Sequence, residues 1–270
     1  LVYAGWDFNT IWMHDSSALV SGGYPFLRGF GPLAWTFCLD SAGGSAVAPI
    51  QQNAGVAFPA PAPPLRPGFI FRGWEPSLPP VMPARNVICL AQWAPRPIAI
   101  ASIGELQKIG NDAVYPLDGH YYLTQDIDAS ECVTWHKGAG FRPIGTSARP
   151  FVGVLDGRGH LISALWIDRP TQNYEGLLGY VGSSGVVKSL GLAGGSVTGM
   201  YNCGALAGTN AGSIDQVWSS CAVNGQSTVG GLVGNNQGAV TNAYARGNVV
   251  GQWSIGGLVG SNSGAISACL

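Results

Sequence analysis

Asp126 and Asp128 alternate along one predicted strand, and Asp156 and His160 flank a predicted turn. These four side chains are the nearest the sequence comes to an acid–base set. Glycosidase or pectin-lyase-like chemistry needs two or more charged groups converging on one groove. Between residues 203 and 270 the only charged residues are Asp215 and Arg246, and they fall at different repeat positions. Asp156 reads as holding its own turn through a side-chain-to-backbone bond, and His160 as a surface turn residue. There is no Gly-x-Ser-x-Gly elbow between a strand and a helix, no His-Glu-x-x-His and no Cys-x-x-Cys. Repeated aspartates of a calcium-binding array are missing, and Thr198, Thr209, Thr228 and Thr241 do not align into an ice-binding face. The expectation is a protein that is not an enzyme and takes no cofactor and no metal.

The six cysteines are the other reactive groups. Cys203 falls in the repeat position of Val229 and Ile255, and Cys269 in that of Val217 and Ala243. Both positions are apolar, so these two thiols read as small buried hydrophobes. Cys38, Cys89, Cys132 and Cys221 lie elsewhere and are the disulfide candidates, with their pairing open.

What must position any such group is a repeat. Gly176-Leu177-Leu178-Gly179, Gly204-Ala205-Leu206-Ala207-Gly208, Gly230-Gly231-Leu232-Val233-Gly234 and Gly256-Gly257-Leu258-Val259-Gly260 are versions of one box. Leu177, Leu206, Leu232 and Leu258 stand 29, 26 and 26 residues apart. Asn210, Asn236 and Asn262 share a column, as do Gly212, Gly238 and Gly264, and Ile214, Val240 and Ile266. Val197, Val223 and Val249 form another, followed two residues later by Gly199, Gly225 and Gly251. A fixed period of this size marks a solenoid whose units bury their apolar side only against their neighbours. The segments between glycines are short, β-branched and alternating, which is strand patterning. The predicted fold is all-β: a right-handed parallel β-helix with about 26 residues per coil, coils stacked at about 4.8 Å, leucines inside, an asparagine ladder at one turn, and glycines where the backbone turns through positive φ.

Charged residues make up 10% of the chain and the net charge is −1, against about 25% charged in an ordinary soluble domain. No basic footprint for nucleic acid is present. Mean hydropathy is +0.20, yet no apolar run is long enough for a membrane-spanning helix, so membrane insertion is not expected. The chain starts at Leu1 without a signal peptide, which reads as processing or as a piece of something longer.

Three regions are expected. Residues 1–30 are a cap-like β segment containing Trp6, Phe8, Trp12, Tyr24 and Phe26. Residues 31–98 are a Pro/Ala/Gly-rich extended arm centred on Pro59-Ala60-Pro61-Ala62-Pro63-Pro64. Residues 99–270 are the β-helix, entered through a capping box, Ser102-Ile103-Gly104-Glu105, that opens a short helix over 105–109.

Phe141-Arg142-Pro143-Ile144-Gly145, the run from Phe151 through Asp156-Gly157-Arg158-Gly159-His160 to Ile162, and the repeated Gly-Gly-Leu-Val-Gly box resemble the GLUG-motif right-handed β-helices. That family occurs in bacterial surface and secreted proteins, filamentous-haemagglutinin-type adhesins among them. The resemblance covers residues 100–270 and implies an exported, cell-surface scaffold with no chemistry attached. In the family, segments like Gly5-Trp6-Asp7-Phe8 and Gly23-Tyr24-Pro25-Phe26 follow the last repeat as a cap; here they come first, and Leu270 falls mid-coil.

The leading expectation is therefore a secreted structural protein that binds copies of itself head to tail, its assembly interface formed by Trp6, Phe8, Trp12, Tyr24, Phe26 and Leu270. A fragment of a larger adhesin that binds a host surface or polysaccharide is the second reading. A β-helix carbohydrate-active enzyme is the third.

Overall fold

The computed structural model describes residues 34–270, together with the backbone of two strands, Trp12–Met13 and Phe26–Leu27, which pair antiparallel. Contacts divide the chain into two compact units, Leu1–Ala94 and Pro95–Leu270. Of the expected cap and assembly residues, Trp6, Phe8 and Tyr24 lie outside the described residues, and Trp12 and Phe26 are described by backbone pairing alone.

The second unit is a parallel β-solenoid. Its largest sheet is a stack seven strands deep, from Ile98–Ile100 through His120–Leu123, Val154–Asp156, Val186–Thr198, Ser213–Ser219 and Ala239–Thr241 to Ala265–Ser267. The pairing is parallel throughout the stack. Two further parallel stacks complete the coil walls. One runs Leu178–Val181, Ala207–Asn210, Val233–Asn236, Val259–Asn262, and the other Tyr201–Gly204, Ser227–Gly230, Trp253–Gly256. The period tightens along the chain. His120 pairs with Val154 and Val154 with Val186, whereas Ser213 pairs with Ala239 and Ala239 with Ala265, the regular 26.

The entry helix is Ile103–Lys108. Ser102 caps it by accepting the Glu105 N–H at 3.2 Å, and Ile103 and Leu106 point into the core. Glu105 accepts from the N–H of Ala101 rather than of Ser102, so the reciprocal bond falls one residue earlier than a standard capping box places it.

Leu177, Leu206 and Leu232 are fully buried in one inward column. Leu258 continues it but is only partly buried, packed against the cluster at the last described coil. Burying one such side chain contributes about 1.5–3 kcal/mol.

The repeat glycines have a different cause from the one expected. The positive-φ positions of the regular coils are not glycines: Tyr174, Asn202, Thr228 and Ser254 form one corner, and Ser189, Gln216, Asn242 and Ala268 another. The column Gly212, Gly238, Gly264 is set instead by close approach between coils. A Cβ at Gly238 would meet the carbonyl oxygen of Gly212 at 2.1 Å, and one at Gly264 would meet that of Gly238 at 2.0 Å. No side chain fits there, because the neighbouring atom is backbone and cannot move aside.

The first unit corrects the extended-arm expectation for 31–98. Ala34–Asp40 pairs antiparallel with Ile50–Asn53 and parallel with Val87–Pro95, and Phe69–Glu75 completes a four-stranded sheet. Phe37, Leu39, Met82 and Cys89 are its buried core. The alternation of Phe37 and Leu39, matched by Val87 and Cys89 across the register, gives one apolar face, which is what a sheet buries. The proline-rich run stays outside the strands, as a connection.

Candidate functional site

The acidic side chains highlighted by the sequence are occupied in holding turns and linking coils. Asp126 accepts from His160 Nδ1 and from the Leu161 N–H, each at 3.1 Å. Asp128 accepts from the Ser130 N–H, and Asp156 from the Arg158 N–H, both at 2.9 Å. Asp156, Lys188, Asp215 and Thr241 are register partners in successive coils. Lys188 Nζ lies 3.3 Å from Asp156 Oδ2, and Asp215 accepts from Thr241 Oγ1 at 2.6 Å and Asn242 Nδ2 at 2.8 Å. This outward column alternates in sign, a cross-strand ladder. The bonds hold three carboxyls below the ordinary aspartate range: the Leu161 N–H first for Asp126, the Ser130 N–H for Asp128, and the Thr241 hydroxyl for Asp215.

The asparagines stack. Asn210 Nδ2 donates to Asn236 Oδ1 at 2.8 Å, and Asn236 Nδ2 to Asn262 Oδ1 at 2.7 Å. Each amide also ties its own turn, Asn210 and Asn236 donating to the carbonyls of Gly212 and Gly238. Asn210 and Asn236 are fully buried, whereas Asn262 is exposed. Asn236→Ala removes both rungs and should destabilise by about 1–3 kcal/mol, with Asn262→Ala costing clearly less. Paired thermal melts check this: equal midpoints for the two variants would contradict a buried, cooperative ladder.

The four candidate disulfide cysteines are free, as are Cys203 and Cys269. In the small sheet the register sets Leu39 opposite Cys89, so Cys38 points to the other face and is exposed while Cys89 is buried. Cys132 and Cys221 are buried within the solenoid, their thiols directed at the carbonyls of Trp166 and Gly194. All four are therefore placed for packing or exposure, not for a mutual bridge. Burial pushes the Cys221 thiol up to about 11.

A further site was not foreseen from the sequence. Three loops, around residues 109–111, 142–149 and 169–175, enclose a cleft of about 340 Å³ on the side of the solenoid. Arg142, Arg149 and Arg169 all line it, with Glu175 at its inner wall. Glu175 pairs in parallel with Cys203 and so belongs to the inward column that continues as Val229 and Ile255. A carboxylate therefore stands where later coils carry apolar side chains. It is 3% exposed, and its Oε2 accepts no hydrogen bond among the described residues. Its nearest cation, Arg169 Nε, is 4.0 Å away, while that guanidinium donates to the carbonyls of Phe141 and Gly140. Burial pushes the Glu175 carboxyl up to about 7, with Arg169 pulling the other way. The same burial, reinforced by the Glu175 charge, raises the Cys203 thiol to about 12. The signal was present in the sequence as an acid one coil before Cys203, hidden because that coil is longer than 26 residues.

No helix among the described residues is long and apolar enough to cross a membrane. The fold defines a class, the parallel β-solenoid, and two relatives are similar to about half of the chain. One is halomucin of Haloquadratum walsbyi, 40% identical over 134 residues, which is 48% of this chain and 2% of that protein. The other, from Evansella cellulosilytica and provisionally named a Gly-rich membrane protein, is 37% identical over 125 residues, 45% of this chain and 14% of that protein. The chain thus spans a small part of the length of either relative. No family profile matches it. No solved structure matches it either.

Proposed function

We propose that the chain is a non-catalytic structural module of a secreted or cell-surface protein, a GLUG-type β-solenoid rod segment that works by stacking coil on coil. One observation carries this reading. The inward columns keep their register from coil to coil, Cys203, Val229 and Ile255 in one and Ile214, Val240 and Ile266 in another, and Val229 and Val240 are fully buried beneath the coil that follows them. Each coil is made to be covered by another. The relatives support the setting, since one is called a membrane protein and both are far longer than the matched stretch.

The finer form of the proposal is a homopolymer. Residues 1–30 of one copy, led by Trp6 and Phe8, add as strands to the coil that ends at Leu270 of another. Main-chain bonds give the affinity, and a heterologous contact that does not close produces a filament. Sedimentation velocity and negative-stain imaging of the full chain test it beside a version lacking residues 1–30. The expected result is concentration-dependent rods from the full chain, lost on deletion while the β-sheet circular dichroism signal persists. A full chain that stays monomeric at every concentration, or rods that survive the deletion, would overturn the homopolymer.

A further inference from the structure

We infer that the arginine-lined cleft at residues 109–111, 142–149 and 169–175 is a binding site for the carboxylate of an acidic sugar residue. The inference does not rest on the rod reading, because the cleft is formed by loops of the solenoid's own coils.

The charge balance selects an anion. Arg142, Arg149 and Arg169 face a cleft whose lining holds one acid, Glu175. Arg142 and Arg149 are exposed, and among the described residues neither guanidinium has an ion-pair or hydrogen-bond partner. Two other pairs on the solenoid, Lys188 with Asp156 and Asp126 with His160, show charges engaged where an opposite charge is in reach. Planar guanidiniums match a carboxylate through two parallel N–H···O bonds.

The second observation selects a hydroxyl beside that anion. Glu175 is a lining residue of the cleft, and its Oε2, shielded from water in this structure, accepts no hydrogen bond among the described residues. A buried acceptor without a donor is costly to leave unsatisfied, and a ligand O–H reaching the inner wall supplies what the protein does not. Asn111, Ser147 and Gln172 add neutral polar groups around the rim. A ligand that carries a carboxylate and hydroxyls on one compact ring meets both requirements. A phosphate dianion meets only the first and would set its charge against Glu175. The volume is within the range of small-molecule sites, roughly 300–1,000 Å³.

Isothermal titration of the full chain with glucuronate, glucose, inorganic sulfate and a glucuronate-containing tetrasaccharide tests the inference. Glucuronate and glucose differ in the carboxylate alone, so the expected result is saturable binding of glucuronate and at least about tenfold weaker binding of glucose. Arg142→Gln and Arg149→Gln, both at exposed positions, should each weaken glucuronate by about tenfold, one charge-assisted contact apiece, without moving the thermal midpoint. The tetrasaccharide tells a chain-binding site from a monomer site: tighter binding than the monosaccharide assigns the cleft to a glycan, equal binding to its acidic residue alone. Absence of saturable binding by both acidic sugars overturns the proposal. Sulfate binding as tightly as glucuronate overturns the sugar class, and wild-type affinity in both arginine variants overturns the location. Each of these results leaves the rod reading untouched.

Discussion

Leu232→Asp should abolish the folded state of the C-terminal coils. Leu232 is fully buried, with Leu206 in the coil below and Leu258 in the coil above, and no cation lies in its column. Removing the leucine side chain alone costs about 2–5 kcal/mol. Setting an unpaired carboxylate in its place adds several kcal/mol more, and the sum rivals the whole stability of an ordinary domain, about 5–15 kcal/mol. A solenoid distributes that loss unevenly, since each coil contacts only its neighbours. The coils from Tyr201 onward should open while those around the Phe141, Phe151 and Leu155 core persist. Hydrogen exchange separates the halves: the amides of Leu206 and Val233, which donate to the carbonyls of Leu232 and Leu258, should lose protection, and those of Leu155 and Ile162 should keep it. Leu232→Ala should give a milder version with the same geography. Wild-type protection across residues 227–262 in the aspartate variant would mean that Leu232 does not occupy the dry interior.

How far the sequence disclosed this arrangement depends on where the period is regular. From Tyr201 onward every coil adds 26 residues, so the leucine, valine and asparagine columns align by inspection, and the strands pair in that register. Upstream, the longer coils between His120 and Val186 carry two of the three loops that form the cleft, and inserted residues shift every column. Glu175 was overlooked for that reason: its inward position becomes visible only once it is paired with Cys203. The glycines were recognised as necessary for the wrong reason. Sequence patterns display a missing side chain, whereas the carbonyl oxygen 2.1 Å from the place where a Cβ at Gly238 would sit belongs to the coil below. Proline content concealed the small sheet, because composition averages over a segment while burial follows the two-residue alternation of Phe37 and Leu39. Cysteine counting failed similarly. A disulfide needs two side chains on one face within reach, and the register sends Cys38 and Cys89 to opposite faces.

Glu175→Gln should stabilise the protein at alkaline pH and leave it unchanged in acid. The Glu175 carboxyl titrates near 7 in the fold, raised from an ordinary 4.5 chiefly by burial. Below about pH 4.5 it is protonated in both the folded and the unfolded chain, and its contribution is fully present. As pH rises, the unfolded chain releases its proton first, so stability falls progressively until the folded group also ionises near 7. The loss over that window is on the order of 3 kcal/mol, a net figure in which the opposing pull of Arg169 is already included. The Cys203 thiol in the same column does not imitate the effect, because burial raises it to about 12. Asp126, Asp128 and Asp215, with lowered values, lose stability at the acid end instead, and His120, lowered by burial, is common to both proteins. Chemical denaturation of the two proteins at half-unit steps from pH 4 to pH 8.5 isolates the term as a difference. The curves should coincide at pH 4 and separate through pH 5–7, the glutamine variant lying above. A constant difference across the range would show that Glu175 is not a buried, poorly paired acid. The separation would also explain why an apolar column that needs only a cysteine, valine or isoleucine at this position carries a carboxylate in its first member. A group that lowers stability at neutral pH and lines a cleft of arginines is placed for contact with a ligand, since its ion pair with Arg169 at 4.0 Å still leaves Oε2 without a hydrogen bond among the described residues.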